Sequence, residues 1–107
     1  MIKIMFVVLY RWRIKANLER QFVENWSART AYLRKKYDSL GSRLHRGNDG
    51  IWYSYAQWKS VEQREQTFAA ESNTVSETSQ KFQEAIEETF PEIQLEITSD
   101  YLLTLRR

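Results

Sequence analysis

His45 is the sequence's only histidine, and no other side chain ordinarily titrates near neutrality, so it is the natural candidate base. Strand alternation puts it on the same face as Arg43 and opposite Leu44. A guanidinium beside it stabilises an anion such as a phenolate, and also disfavours the imidazolium form. With Leu44 on the core side, the pair would face a partner subunit, away from an internal pocket. Phe6, Tyr10, Trp26, Trp52, Trp58 and Phe68 are candidate walls for a cavity that takes a small aromatic ligand. The plainer use of these rings is to fill a two-layer core to native density. Tyr32, Tyr53 and Tyr55 add hydroxyls for orientation, or for interface and core hydrogen bonds.

The other chemical possibilities are quickly narrowed. With no cysteine there is no disulfide framework, thiolate zinc site or cysteine nucleophile, and one histidine cannot build a multi-histidine metal centre. No metal site is expected. Ser42 lies three residues from His45, on the opposite face of a strand and without an acidic orienter, so it is no nucleophile. Two of the three glycines belong to one turn, which leaves no phosphate-binding glycine loop. Glu84, Glu87 and Glu88 read as the solvated face of a helix whose apolar side is Phe82 and Ile86.

The elements that must position these residues follow from periodicity. Ile2 to Trp12 reads as a strand with Ile4, Phe6, Val8, Tyr10 and Trp12 on one face and Met5, Val7 and Leu9 on the other. Leu18, Phe22, Trp26, Leu33 and Tyr37 form the stripe of an amphipathic helix over about 17–37, with Asn17 as N-cap and Gly41 just beyond its end. Leu40 to Arg46 and Ile51 to Trp58 are two strands joined at Gly47-Asn48-Asp49-Gly50, a strong hairpin signal. Ser60 opens a second helical region carrying Val61 and Phe68, broken at Ser72-Asn73-Thr74. A further helix carries Val75, Ser79, Phe82, Ile86 and Phe90 and ends at Pro91. A last strand starts at Ile93, Leu95 and Ile97 and continues through Tyr101 to Leu105, with a bend at Ser99-Asp100.

The expected fold is α+β, with the β-α-β-β-α-β order of a ferredoxin-like antiparallel sheet in a single domain over 1–107. Its helices cover one sheet face. The first strand is apolar on both faces, so the open face calls for a cover, and the simplest is an identical subunit related by a two-fold axis. Apolar burial of about 25 cal/mol/Å² makes such pairing worth several kcal/mol. Residues 1–60 carry 12 Lys/Arg against 4 Asp/Glu, and residues 61–100 carry 2 against 10. Opposed halves of this kind suit solvated surfaces and the alignment of a partner subunit better than a nucleic-acid stripe. No apolar run is long enough to span a membrane, and Met1 to Leu9 is too short for a signal peptide. A soluble, cytoplasmic protein is the expectation.

Gly41-Ser42-Arg43-Leu44-His45-Arg46, Asp49-Gly50, Trp52 and Tyr55-Ala56-Gln57-Trp58 closely resemble the antibiotic biosynthesis monooxygenase-like family of dimeric α/β barrels. The resemblance implies a ferredoxin-like subunit, a homodimer formed through the sheets, and a pocket between sheet and helices. It also implies an oxidoreductase activity: a cofactor-independent monooxygenase converting a small phenol or quinol to a quinone. Two departures stand out. Many members carry a glutamate where this chain has Ala56, and the heme-degrading members use a histidine on the helix that follows, whereas Ser60 to Phe90 contains none. These gaps give weight to a non-catalytic homodimer that binds a small molecule or serves as an accessory protein. RNA-recognition domains share the element order, and Tyr53 and Tyr55 with Phe6 or Val7 would supply stacking rings. The third strand lacks the basic-glycine start of that motif, and the acidic second half counts against RNA as well.

Overall fold

The computed structural model describes residues 6–72 and 76–102. Expectations for Ile2–Met5, for Asn73–Val75 and for the stretch beyond Leu102 lie outside them. The elements are β1 (Phe6–Ile14), α1 (Glu19–Tyr37), β2 (Ser42–Arg46), β3 (Trp52–Trp58), α2 (Val61–Glu71), α3 (Glu77–Glu84) and β4 (Ile86–Leu95). The four strands form one antiparallel sheet in the order β2-β3-β1-β4. The expected βαββαβ arrangement is present, with its second helical segment split into α2 and α3.

β1 sits in the middle of the sheet because both of its faces are apolar. Phe6, Val8, Tyr10 and Trp12 point towards the helices, while Val7 and Leu9 point the other way. α1 lays Phe22, which has no exposed surface, against Trp12, Trp52 and Phe82, with ring centroids 5.3–5.7 Å apart. This aromatic knot anchors α1 and α3 over one end of the sheet. A second cluster of Phe6, Val8, Ala56 and Trp58 holds the other end, with Phe68 of α2 on top.

Local chemistry sets the ends of the elements. Ser60 caps α2, its Oγ accepting from the Gln63 amide at 3.0 Å, and Ser76 caps α3 through the Ser79 amide at the same distance. At the hairpin, Gly50 adopts φ +82°, and Asp49 accepts from the Ile51 amide (2.9 Å) and the Tyr53 hydroxyl (2.5 Å). Those bonds, the tyrosine's first, hold the Asp49 carboxyl below its ordinary pKa.

The structure corrects several local expectations. Asn17 is not the N-cap of α1. It takes a left-handed conformation (φ +71°) in a turn closed by the Leu18 amide on the Lys15 carbonyl, and Leu18 occupies the cap position. The last helix does not run to Pro91 either. It ends at Glu84, and Ile86 to Leu95 pair with β1 instead, Ile86 opposite Ile14 and Phe90 opposite Arg11. A central strand left without a partner on one side would bury unsatisfied amides, and that requirement overrides the helical spacing of Phe82, Ile86 and Phe90. Pro91 is tolerated because β4 is an edge strand and its register shifts opposite Tyr10. The Pro91 carbonyl accepts from Arg11 Nη2 at 2.8 Å. Glu87 and Glu88 are therefore strand residues beside Arg13, not the outer face of a helix. Regular strand stops at Leu95, short of the expected Ile97 to Tyr101. No helix among the described residues is long and apolar enough to cross a membrane.

Candidate functional site

Between the sheet and the helices lies a cavity of about 310 Å³. Tyr10 and Trp12 of β1 and Ser54, Ala56 and Trp58 of β3 form its floor, and Trp26, Arg29 and Leu33 of α1 with Phe68 and Phe82 form its roof. The core-facing positions of β3 read Trp52, Ser54, Ala56, Trp58. Two small residues between two indoles leave a hollow in the floor where a fully apolar strand would fill it. A second hollow of about 320 Å³, the outer groove, is somewhat more enclosed than the first and lies away from the sheet among α1, α2 and the start of α3. Arg29, Leu33 and Phe68 line both spaces and form the wall between them.

Polar residues share the lining of the inner cavity with the aromatic ones, Thr30, Ser42, Gln83 and Thr89 among them, and the polar groups around it differ in how far they are satisfied. Trp26 Nε1 donates to Ser54 Oγ at 3.3 Å. The Tyr10 hydroxyl accepts from Arg64 Nε at 3.0 Å, and Arg64 Nη2 is held by Glu92 at 2.7 Å. Accepting from Arg64 leaves the Tyr10 O–H hydrogen free to donate. Burial raises the Tyr10 pKa against the pull of Arg64, so the phenol stays protonated near neutrality. Trp58 is only 3% exposed, and its Nε1 is buried with no hydrogen-bond partner. An unpaired buried N–H costs about 1–3 kcal/mol and calls for an explanation. Arg29 packs over the Phe68 and Phe82 rings, 5.9 and 5.4 Å from their centroids. Among the described residues no carboxylate lies within 4 Å of it. Burial lowers its pKa from the ordinary arginine value, opposed by Tyr10 and Glu71.

Of the aromatic residues singled out in the sequence, Tyr10, Trp26, Trp58 and Phe68 line this cavity. Phe6 and Trp52 do not; they pack in the two clusters at either end of the sheet. Arg43 and His45 lie across the sheet from the cavity. Arg43 pairs with Tyr55 and His45 with Tyr53, all on the open face, while Leu44 points to the core. Strand alternation forces that separation, so neither the imidazole nor the Arg43 guanidinium reaches a molecule held between sheet and helices. With the only histidine on the far side, no imidazole faces the cavity to hold a heme iron, and the site does not fit heme ligation by histidine.

Arg29 went unrecognised in the sequence, although a signal for it exists. The α1 stripe runs Phe22, Trp26, Leu33, and the seven-residue gap places Arg29 on the same face. A charge inside an apolar stripe is a polar group led into the core. Arg64, which orients Tyr10, gave no comparable sign.

No protein-family model matches the sequence, and no curated protein is similar to it. Solved structures do match. A candidate antibiotic biosynthesis monooxygenase from Bordetella bronchiseptica superposes with a TM-score of 0.69 at 14% identity, over 92% of this chain and 99% of that one. This is the ferredoxin-like fold of the antibiotic biosynthesis monooxygenase-like structures. A dimeric ferredoxin-like protein from an uncultured marine organism shares it with a TM-score of 0.68 at 8% identity, over 95% of each chain. So does the heme-degrader MhuD of Mycobacterium tuberculosis, whose structure holds two hemes in its active site, with a TM-score of 0.65 at 15% identity over 89% of this chain and 97% of that one.

Proposed function

We propose that this ferredoxin-like protein is a homodimeric, cofactor-independent monooxygenase of the antibiotic biosynthesis monooxygenase-like family, acting on a small aromatic phenol or quinol in the cavity between sheet and helices. The observation that carries the site is an aromatic-walled space of about 310 Å³ lined by Trp58, whose buried Nε1 has no partner. A phenolic oxygen would accept from it, and the Tyr10 hydroxyl offers a second donor. Arg29 adds positive charge with no carboxylate among the described cavity-lining residues, which favours the phenolate form of the ligand. An electron-rich phenolate reduces O₂ directly. One oxygen atom enters the ring at a C–H position and the other leaves as water with the two hydrogens lost, so phenol plus O₂ gives quinone plus H₂O.

The second reading, a homodimer of the same fold that binds without turnover, is favoured by one feature. No carboxylate or imidazole is among the described residues lining the inner cavity, so the phenol proton has no ordinary base to receive it. In either case the open sheet face supports pairing. Ile93 and Leu95 of the edge strand lie on it, each 39% exposed, alongside Leu9, Tyr53 and Tyr55.

Oxygen uptake by the purified protein with anthrone and with 1- and 2-naphthol, measured over a protein-free background, tests the proposal. The expected result is one O₂ consumed per quinone formed, a rate lowered by Tyr10→Phe, and a rate unchanged by His45→Gln in a dimer of normal mass. Binding of these compounds with no uptake would select the non-catalytic reading, and no binding at all would overturn the cavity assignment.

A further inference from the structure

We propose that Arg29 is the specificity-determining residue of this cavity, and that the ligand carries, besides its aromatic ring, an anionic group such as a carboxylate placed against the Arg29 guanidinium. The proposal rests on the inner cavity being the ligand site and adds the charge class of what enters it. Arg29 stands in the wall between the inner cavity and the outer groove, and lines both. Its guanidinium is flanked by the faces of Phe68 and Phe82, so its plane is held by packing rather than by an acid.

The neighbouring charges make Arg29 stand out. Arg64 is paired with Glu92 at 2.7 Å. Lys36 is paired with Glu71 at 3.3 Å. Glu71 lines the outer groove and accepts from Tyr32, Tyr37 and Lys36, so its charge is already engaged. A ligand anion in the inner cavity therefore meets in Arg29 a cation without an ion-pair partner among the described residues, whereas the carboxylate of Glu71 in the outer groove is already bonded. Burial depresses the Arg29 pKa against the opposing influence of Tyr10 and Glu71, as expected of a cation held partly out of water. A guanidinium in that position gains most from a planar anion it can bind with two parallel N–H donors. Trp58, whose buried Nε1 has no partner, lines the same space.

The test is a matched pair of probes, 2-naphthoate and its neutral isostere 2-naphthamide, titrated calorimetrically into the wild type, Arg29→Lys and Arg29→Gln. The expected wild-type result is at least tenfold tighter binding of the naphthoate. Arg29→Gln should abolish that preference while leaving 2-naphthamide affinity within twofold, and Arg29→Lys should keep part of it. Retained 2-naphthamide binding shows that the variant cavity is folded. Equal wild-type affinity for the two probes, or a preference that survives Arg29→Gln, overturns the role of Arg29 and leaves the cavity reading intact. Failure of both probes to bind the wild type overturns the cavity reading and this inference together.

Discussion

Trp58→Phe separates a ligand-directed group from a structural one. In the ligand-free protein Trp58 brings two opposing contributions to the fold. Its ring packs with Phe6, Val8 and Ala56 and meets Phe68 edge-on at 5.6 Å, while its Nε1 is buried without a partner. Trimming indole to phenyl removes a few tens of Å³ of packed volume, which costs roughly 1–2 kcal/mol at about 24 cal/mol/Å³ plus the lost transfer energy. The same change removes an orphan donor whose burial costs about 1–3 kcal/mol. The two nearly cancel, so the variant should unfold in urea within about 1 kcal/mol of the wild type. Trp58→Ala, which loses the ring without that compensation in packing, should cost about 3–5 kcal/mol. Binding should respond differently. Losing one hydrogen bond of about 0.5–1.5 kcal/mol weakens 2-naphthol by roughly two- to tenfold in a calorimetric titration. A Trp58→Phe variant destabilised by more than about 3 kcal/mol, or one binding 2-naphthol as tightly as the wild type, would refute the assignment of Nε1 to a ligand.

Three further expectations follow from the same structure. Phe22→Ala removes the ring at the centre of the Trp12, Trp52 and Phe82 contacts and should cost about 3–5 kcal/mol in chemical denaturation, a large part of a small domain's stability. Bonds from Tyr37 first, then Tyr32 and Lys36, hold the Glu71 carboxyl below its ordinary pKa of 4.5. Its contribution is therefore present above pH 4.5 and lost as the pH falls through the lower folded value, and Glu71→Gln should flatten that acid limb of the stability profile. Leu95→Arg puts a charge on the open face and should yield a mass of one chain by light scattering at low micromolar concentration, where the wild type gives two. A wild-type mass of one chain would contradict pairing through the sheet and leave Tyr53 and Tyr55 free for single-stranded RNA.

The sequence carried most of the architecture because its signals were local. The two-sided apolar character of Val7 to Trp12 marks a central strand, and Gly47 to Gly50 marks the hairpin; β1 and the β2–β3 pair are where those signals put them. The α3–β4 boundary was illegible for a physical reason. Phe82, Ile86 and Phe90 repeat at helical spacing, and only the need of β1 for a partner turns the last two into strand. The candidate site was half legible. Aromatic residues on core-facing strand positions pointed to Tyr10 and Trp58, but nothing in a one-dimensional pattern distinguishes a ring that fills the core from one that borders a hollow, as Trp52 and Trp58 illustrate. His45 drew attention by residue type alone, and the pleat carries it to the other face.

In the function proposed, a ligand enters between sheet and helices and not on the open face. The indole N–H signals of Trp12, Trp26, Trp52 and Trp58, followed by ¹H–¹⁵N NMR together with the His45 imidazole during titration with 2-naphthol, test it directly. The expected result is that the Trp58 signal moves most, Trp26 moves with it, and His45 stays still. Movement of His45 with an unmoved Trp58 signal would contradict it.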